Sequence, residues 1–206
     1  RSAVSAIMAG QVAGMPSDGG QWWVMLDAAK AAATSVVDVP ATGAAMCCVS
    51  LYKLFGEPTG LGALLVRSDL AKLLNGQGGR YFGGGSVASV LAGEDYHVPK
   101  PSVAAAMSGG TPHYRGALSV PAGFAALQRL GGMATIEAHV AALAGELVQR
   151  LLALRHANGQ PAVTIYGARS AFAQARDATS AGRDLGAVCA PQAGPIVAFN
   201  VHRQDG

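Results

Sequence analysis

A lysine placed between two apolar segments is the feature that most constrains how this chain folds. The β-prone run 46–49 leads to Ser50, and Lys53 follows shortly after it. A Gly/Pro/Thr turn over 55–60 then precedes a second apolar run, 61–67. This pattern predicts two buried strands, with the lysine beyond the end of the first. Such a lysine lies either on a surface loop or in a site, and residue statistics alone favour the surface.

An acid follows an earlier strand in the same way. The continuous apolar run from Trp22 to Leu26 is typical of a strand covered on both faces, and Asp27 comes directly after it. Ligands of open α/β sheets bind outside the carboxyl ends of the strands. Asp27 and Lys53 both lie at such ends, which favours a ligand site there. A structural role for Asp27, as the N-cap of the Ala-rich segment 28–33, stays open beside it.

The alternation of apolar runs and helical periods predicts an α/β protein, with a mainly parallel sheet and a second, smaller α/β domain. Two of the expected helices follow one another, and the second carries the clearest apolar stripe of the chain. The expected elements are a turn at 37–40, a helix at 68–74, a glycine-rich loop at 75–86 that is either flexible or closely approached by other atoms, an irregular segment at 93–112, a helix at 120–130 with Pro121 in its first turn, a long helix with its stripe at Ile136, Val140, Leu143, Leu147, Leu151 and Leu154, paired strands at 162–166 and 196–201, and a mobile loop at 168–192.

Composition excludes several classes of partner. Half of the 206 residues are apolar and 13% are charged, which is enough for a packed core. The net charge of +3 comes from scattered Lys and Arg residues, so no nucleic-acid partner is expected. No apolar run is long enough for a membrane span and no secretory signal pattern is present, which predicts a soluble, cytoplasmic protein. The 3 cysteines and 5 histidines lack disulfide or metal-ligand spacing, so we expect reduced thiols and no metal.

The lysine and the acid together suit one cofactor. Pyridoxal phosphate needs an amine for a Schiff base, a carboxylate that keeps its pyridine nitrogen protonated, and donors for its phosphate. Lys53 and Asp27 are candidates for the first two, and candidate donors are present for the third. A protonated ring nitrogen makes the ring a better electron sink, which stabilises a carbanion at the substrate Cα. The residues therefore favour a pyridoxal phosphate site.

The lysine segment also resembles that of a known family. Residues 50–67, Ser-Leu-Tyr-Lys-Leu-Phe-Gly-Glu-Pro-Thr-Gly-Leu-Gly-Ala-Leu-Leu-Val-Arg, are similar to the lysine segment of molybdenum cofactor sulfurases. These are fold type I pyridoxal phosphate proteins related to class V aminotransferases and cysteine desulfurases. Further similar pieces are Leu26-Asp27-Ala28-Ala29, Val37-Asp38-Val39, Tyr81-Phe82-Gly83-Gly84-Gly85, Leu91-Ala92-Gly93-Glu94-Asp95, Gly110-Thr111, Gly131-Gly132-Met133 and Ala157-Asn158-Gly159-Gln160-Pro161.

This resemblance implies a role for each matching residue and an assembly. It implies a homodimer, because relatives build the site at a subunit interface. The implied roles are Lys53 as the Schiff-base and catalytic lysine, Asp27 as the partner of the pyridine nitrogen, Ala29 packed on a ring face, Ser50 as a phosphate donor, and Gly110 with Thr111 as contacts to the phosphate of the neighbouring subunit.

The chain departs from the family pattern at several positions. Lys30 and Tyr52 stand where desulfurases have a glutamine and a histidine, and the tyrosine agrees with the molybdenum branch. Gly109 stands where an acid usually precedes the Gly-Thr motif, which bears on the contacts of that loop. The persulfide cysteine of the family is expected beyond Gly206, since none of the three cysteines matches its position.

The resemblance implies the desulfuration of L-cysteine to L-alanine, with the sulfur passed through a persulfide to the molybdenum cofactor. Xanthine dehydrogenase or aldehyde oxidase would then be activated. The alternatives are a cysteine desulfurase or another class V enzyme, and an inactive chain that keeps the fold. We expect residues 1–117 to be part of the cofactor-binding large domain, 118–157 to be linking helices and 158–206 to be part of the small domain. Residues 1–206 alone are expected to be inactive in sulfur transfer.

Overall fold

The computed structural model describes residues 3–16, 20–56, 60–76, 82–166 and 194–203. The chain forms two compact units, one of residues 1–30 and 38–123 and the other of residues 31–37 and 124–206. The predicted loop at 168–192 lies outside the described residues. Within the described ranges, no helix is long and apolar enough to cross a membrane.

The first unit is built on a three-stranded sheet. Its strands are β1 (Met25–Asp27), β2 (Met46–Ser50) and β3 (Gly62–Val66), in the order β1-β2-β3. The first two are parallel, as predicted, whereas β3 runs antiparallel to β2. The short connection between β2 and β3 explains the antiparallel pair, because a parallel pair needs a longer crossover. The sheet is therefore mixed, and it confirms the predicted α/β class. The predicted burial was wrong for β1 and β3, where Met25, Leu64 and Leu65 are 54%, 48% and 46% exposed, because an apolar run indicates a strand but not what covers its faces.

A one-turn helix precedes β2 where the sequence predicted only a turn. Helix α2 (Val39–Thr42) begins after Asp38, whose carboxylate accepts a hydrogen bond from the amide of Ala41 at 3.0 Å. It ends at Gly43, which adopts the left-handed conformation with φ of 73°. The prediction of a simple turn was wrong, because one helical turn is too short to show a helical period.

The other elements of the first unit are short. The segment expected to be irregular contains a strand and a helix, so that expectation was wrong there for the same reason of length. These elements are α1 (Ala3–Met8), α3 (Leu51–Phe55), α4 (Ser68–Gly76), β4 (Val87–Val90), β5 (His97–Pro99) and α5 (Val103–Ala106), with β4 and β5 forming an antiparallel pair.

The two long helices come next. Helix α6 (Tyr114–Arg129) begins six residues before the predicted start, so Pro121 lies inside the helix rather than in its first turn. Helix α7 (Gly132–Ala153) matches the predicted long helix. The boundary between the two units falls within α6, after Gly123.

The core of the second unit lies between α7 and a two-stranded sheet. Strands β6 (Val163–Tyr166) and β7 (Ala198–Val201) pair antiparallel, as predicted. Val148 of α7 packs with Val163 and Ile165 of β6, and Leu151 joins this cluster. The predicted stripe was wrong at Leu143, Leu147 and Leu154, which are 57%, 44% and 50% exposed, because the buried face of α7 is centred on Ala144 and Val148. The segment that follows the 3-10 helix (Ala31–Ala33) also contacts α7, since Oε2 of Glu137 accepts a hydrogen bond from the amide of Val36 at 3.0 Å.

Candidate functional site

Asp27 ends β1 at the edge of the sheet. The residue is exposed, whereas Ala28 after it is completely buried. The carboxylate oxygen Oδ1 accepts a hydrogen bond from the amide of Ala29 at 3.0 Å, which closes a tight turn directly after the strand. The amide of Ala28 in turn donates to the carbonyl of Cys48 on β2 at 3.0 Å. The turn therefore fixes both the backbone and the carboxylate of Asp27, and Ala29 is part of this turn.

Lys53 follows β2 on a one-turn helix. Strand β2 ends at Ser50, which has extended φ and ψ angles and stands at the N-cap position of α3. The hydroxyl of Ser50 does not cap that helix, so the helix leaves it available for another acceptor. Lys53 is exposed, and its Nζ lies 5.6 Å from the centroid of the Tyr52 ring, within cation–π range.

Asp27 and Lys53 lie close enough to interact electrostatically. The pKa of Asp27 is below its ordinary value, mainly because its carboxylate accepts hydrogen bonds from the amide of Ala29 and, with a smaller effect, from the thiol of Cys48. Desolvation raises this pKa, and the positive charge of Lys53 lowers it slightly. Since β1 and β2 are parallel, their carboxyl ends meet at one edge of the sheet. The arrangement keeps a carboxylate ionised and an ammonium group exposed at the same edge.

Phe55 and three glycines fix the position of the lysine helix. The Phe55 ring packs so closely against Gly123 of α6 that a Cβ on Gly123 would overlap the ring. Gly56 ends α3 in the left-handed conformation with φ of 78°. On β3, a Cβ on Gly62 would lie 2.7 Å from the carbonyl oxygen of Val49, so only glycine allows the strands to approach this closely. The backbone that carries Lys53 thus has close packing on both sides.

The glycine loop packs against the segment that precedes Thr111. Gly110 and Thr111 are exposed and lie between α5 and α6. A Cβ on Gly83 would overlap the carbonyl of Gly109, and a Cβ on Gly85 would lie 3.0 Å from the carbonyl oxygen of Ser108. The sequence left open whether this loop is flexible or closely approached, and Gly83 and Gly85 form a close backbone contact with the Gly-Thr loop. The expected contact of Gly110 and Thr111 with a neighbouring subunit stays a prediction.

Two further residues of this region escaped the sequence analysis. Cys48 was expected there only to be a reduced thiol, but its thiol donates a hydrogen bond to Oδ1 of Asp27 at 3.5 Å. Gly123 has no signal in the sequence beyond being a glycine inside a helical period. Period-two alternation does place Cys47 and Cys48 on opposite faces, and Cys47 is indeed completely buried. The alternation does not predict the register of β1 and β2, which places Cys48 beside Asp27.

Two solved structures share this fold. A cysteine desulfurase from Thermococcus onnurineus NA1 matches with a TM-score of 0.55 and 21% identity, over 87% of this chain and 36% of that protein. A cysteine desulfurase from Escherichia coli matches with a TM-score of 0.54 and 24% identity, over 73% of this chain and 34% of that protein. At these identities the likeness establishes the fold alone, which is the α/β fold type I expected from the sequence.

The sequence comparison establishes the family. Residues 17–172 match the family described as Aminotransferase class-V, and the chain therefore belongs to it. A molybdenum cofactor sulfurase from Bos taurus is 46% identical over 148 residues, which are 71% of this chain and 16% of that protein. A molybdenum cofactor sulfurase from Solanum lycopersicum is 34% identical over 187 residues, which are 91% of this chain and 20% of that protein. The chain thus spans about a fifth or less of the length of these relatives.

Proposed function

We propose that this chain is the cofactor-binding part of a molybdenum cofactor sulfurase and binds pyridoxal phosphate through Lys53. The observation that carries the proposal is the meeting of an ionised Asp27 and an exposed Lys53 at one edge of the sheet. The identity to molybdenum cofactor sulfurases supports the choice of this branch of the family.

The residues present fit the chemistry of the cofactor. A cationic ring nitrogen requires a carboxylate that stays ionised at neutral pH, and the hydrogen bonds from Ala29 and Cys48 lower the pKa of Asp27. An aldehyde requires an accessible amine, and Lys53 is exposed. When bound, the cofactor supplies an electron sink for the electrons released at the substrate Cα.

The proposal gives a role to each of the site residues. Asp27 holds the ring nitrogen in its protonated form, and Ala29 fixes the turn that orients the carboxylate. The hydroxyl of Ser50 donates a hydrogen bond to the phosphate of the cofactor. Gly110 and Thr111 contact the phosphate bound by the neighbouring subunit of a homodimer. The amine of Lys53 binds the cofactor and later moves a proton at the Cα of the substrate. The proposed substrate is L-cysteine, which loses its sulfur and leaves as L-alanine.

The sulfur itself requires a nucleophilic thiol, and we assign that role to neither cysteine of β2. Cys47 is completely buried, and burial raises the pKa of its thiol, which disfavours the thiolate nucleophile. The thiol of Cys48 donates a hydrogen bond to the carboxylate of Asp27, the residue proposed to hold the ring nitrogen, and keeps its proton there. A cysteine elsewhere in the whole protein then carries the persulfide. The molybdenum cofactor accepts the sulfur, which activates xanthine dehydrogenase or aldehyde oxidase.

A cofactor-trapping experiment tests the proposal. Adding pyridoxal phosphate to the chain should give a visible absorbance band, and borohydride should then attach the cofactor irreversibly to the peptide that contains Lys53. Lys30→Ala is the matched control, because Lys30 is another exposed lysine of the first unit and has no proposed role. The band should persist in Lys30→Ala and disappear in Lys53→Ala. A band of equal strength in Lys53→Ala would refute the assignment.

The sulfurase branch needs a separate measurement on the whole protein. With L-cysteine, we expect equal amounts of alanine and protein-bound sulfur, and transfer of that sulfur to the molybdenum cofactor. Alanine release without such transfer would favour a cysteine desulfurase instead. Cofactor uptake without alanine release would indicate an inactive chain that keeps the fold.

A further inference from the structure

The pairing of β1 with β2 brings a thiol beside the site acid. Asp27 and Cys48 are register partners in parallel strands, and partners in register point to the same face of a sheet. Cys47 points to the opposite face and is completely buried, whereas Cys48 is partly exposed. The two neighbouring cysteines therefore have different surroundings, and only Cys48 reaches the site.

Both hydrogen bonds to the Asp27 carboxylate end on the same oxygen. The amide of Ala29 donates to Oδ1 at 3.0 Å, and Sγ of Cys48 donates to Oδ1 at 3.5 Å. One donor leaves the carboxylate free to rotate about its χ2 angle, since terminal torsions of this kind are broad. A second donor from the neighbouring strand restricts that rotation. The other oxygen, Oδ2, takes part in neither bond.

We propose that Cys48 is a positioning residue for Asp27: its thiol holds Oδ1 and so leaves Oδ2 for the cationic ring nitrogen of pyridoxal phosphate. The inference rests on the proposed function, because it assigns Cys48 a task at the same site. The thiol keeps its proton in this role and takes part in no covalent step. The lowered pKa of Asp27, to which Cys48 contributes after Ala29, agrees with it.

Three cysteine variants separate positioning from packing. Cys48→Ala removes the donor, whereas Cys48→Ser keeps a donor at nearly the same place. Cys47→Ala is the matched control, because it truncates the neighbouring side chain on the opposite face of the same strand. The first readout needs no cofactor: the titration of the Asp27 carboxyl, followed by carbon-13 NMR and assigned with Asp27→Asn. The pKa of Asp27 should rise in Cys48→Ala, return toward the wild-type value in Cys48→Ser and stay unchanged in Cys47→Ala.

The second readout is the affinity for pyridoxal phosphate. Cys48→Ala should bind the cofactor about 2- to 10-fold more weakly than the wild type, the effect of losing one hydrogen bond, and Cys48→Ser should restore most of the affinity. Equal Asp27 titration in Cys48→Ala and the wild type would overturn the inference, as would a serine variant that behaves like the alanine variant. A wild-type chain that binds no pyridoxal phosphate would overturn the proposed function itself. Normal affinity in Cys48→Ala, with Lys53 still labelled, would overturn the role of Cys48 alone.

Discussion

The contact between Phe55 and Gly123 offers a direct test of how the lysine helix is held. In Gly123→Ala, the new Cβ would lie 2.6 Å from Cγ of Phe55 and would overlap two further ring carbons. Carbon atoms in contact prefer about 3.5 Å, so the ring must withdraw by about 1 Å. Overpacking of this kind costs about 1–3 kcal/mol of unfolding free energy.

The same substitution also removes a glycine from a helix, which acts in the opposite direction. Replacing Gly by Ala in a helix interior stabilises it by about 0.5–1 kcal/mol. Gly145 in α7 is the matched control, because a Cβ there meets no atom within 4 Å. We therefore expect Gly145→Ala to be stabilised by about 0.5–1 kcal/mol and Gly123→Ala to be destabilised by about 1 kcal/mol. Subtracting the change in unfolding free energy of Gly145→Ala from that of Gly123→Ala removes the effect of replacing glycine in a helix. What remains is the cost of the overlap with Phe55.

Urea unfolding followed by circular dichroism measures both variants against the wild type. Phe55→Ala provides a second check, because without the ring Gly123→Ala should become stabilising, as Gly145→Ala is. The reasoning is refuted if Gly123→Ala is as stable as Gly145→Ala while Phe55 is present. In that case the ring moves aside at no cost, and Gly123 plays no part in holding Lys53.

Two further predictions concern a charge and the glycine loop of the first unit. Arg67 forms a 2.6 Å ion pair with Asp69 and lowers the pKa of Asp69 from 3.8 to about 2. The ionised carboxylate therefore stabilises the fold above about pH 4, and this stabilisation is lost as the pH falls through about 2. The Tm of Asp69→Asn should lie below that of the wild type at pH 6 and approach it near pH 2, whereas a constant difference would contradict the ion pair. In the loop, Gly83→Ala should lose about 1–3 kcal/mol in urea unfolding, because its Cβ overlaps the carbonyl of Gly109. Gly84→Ala, with open space around its Cβ, should have an unfolding free energy within about 0.5 kcal/mol of the wild type. Equal losses of unfolding free energy in the two variants would contradict a specific contact between Gly83 and Gly109.

The strands of the site could be predicted because each is a short apolar run in the sequence, although their burial could not, since Met25 of β1 is 54% exposed and Leu64 of β3 is 48% exposed. The run before Asp27 and the run before Lys53 are short and continuously apolar, which is the sequence pattern typical of strands in an α/β sheet. The register that places Asp27 opposite Cys48 has no such pattern, because it depends on the connection between the two strands. The thiol contact therefore required the structure.

Glycine shows most clearly where sequence reasoning ends. A glycine that supplies flexibility and a glycine that permits close approach are the same residue, and only the atoms around its missing Cβ distinguish them. At Gly84 and Gly145 that space is open, whereas at Gly62, Gly83 and Gly123 it is filled by backbone or by an aromatic ring. Two of these filled positions, Gly62 and Gly123, adjoin the strand end and the helix on either side of Lys53. Close packing at these glycines therefore fixes the backbone that carries the exposed lysine, which a flexible loop would not do.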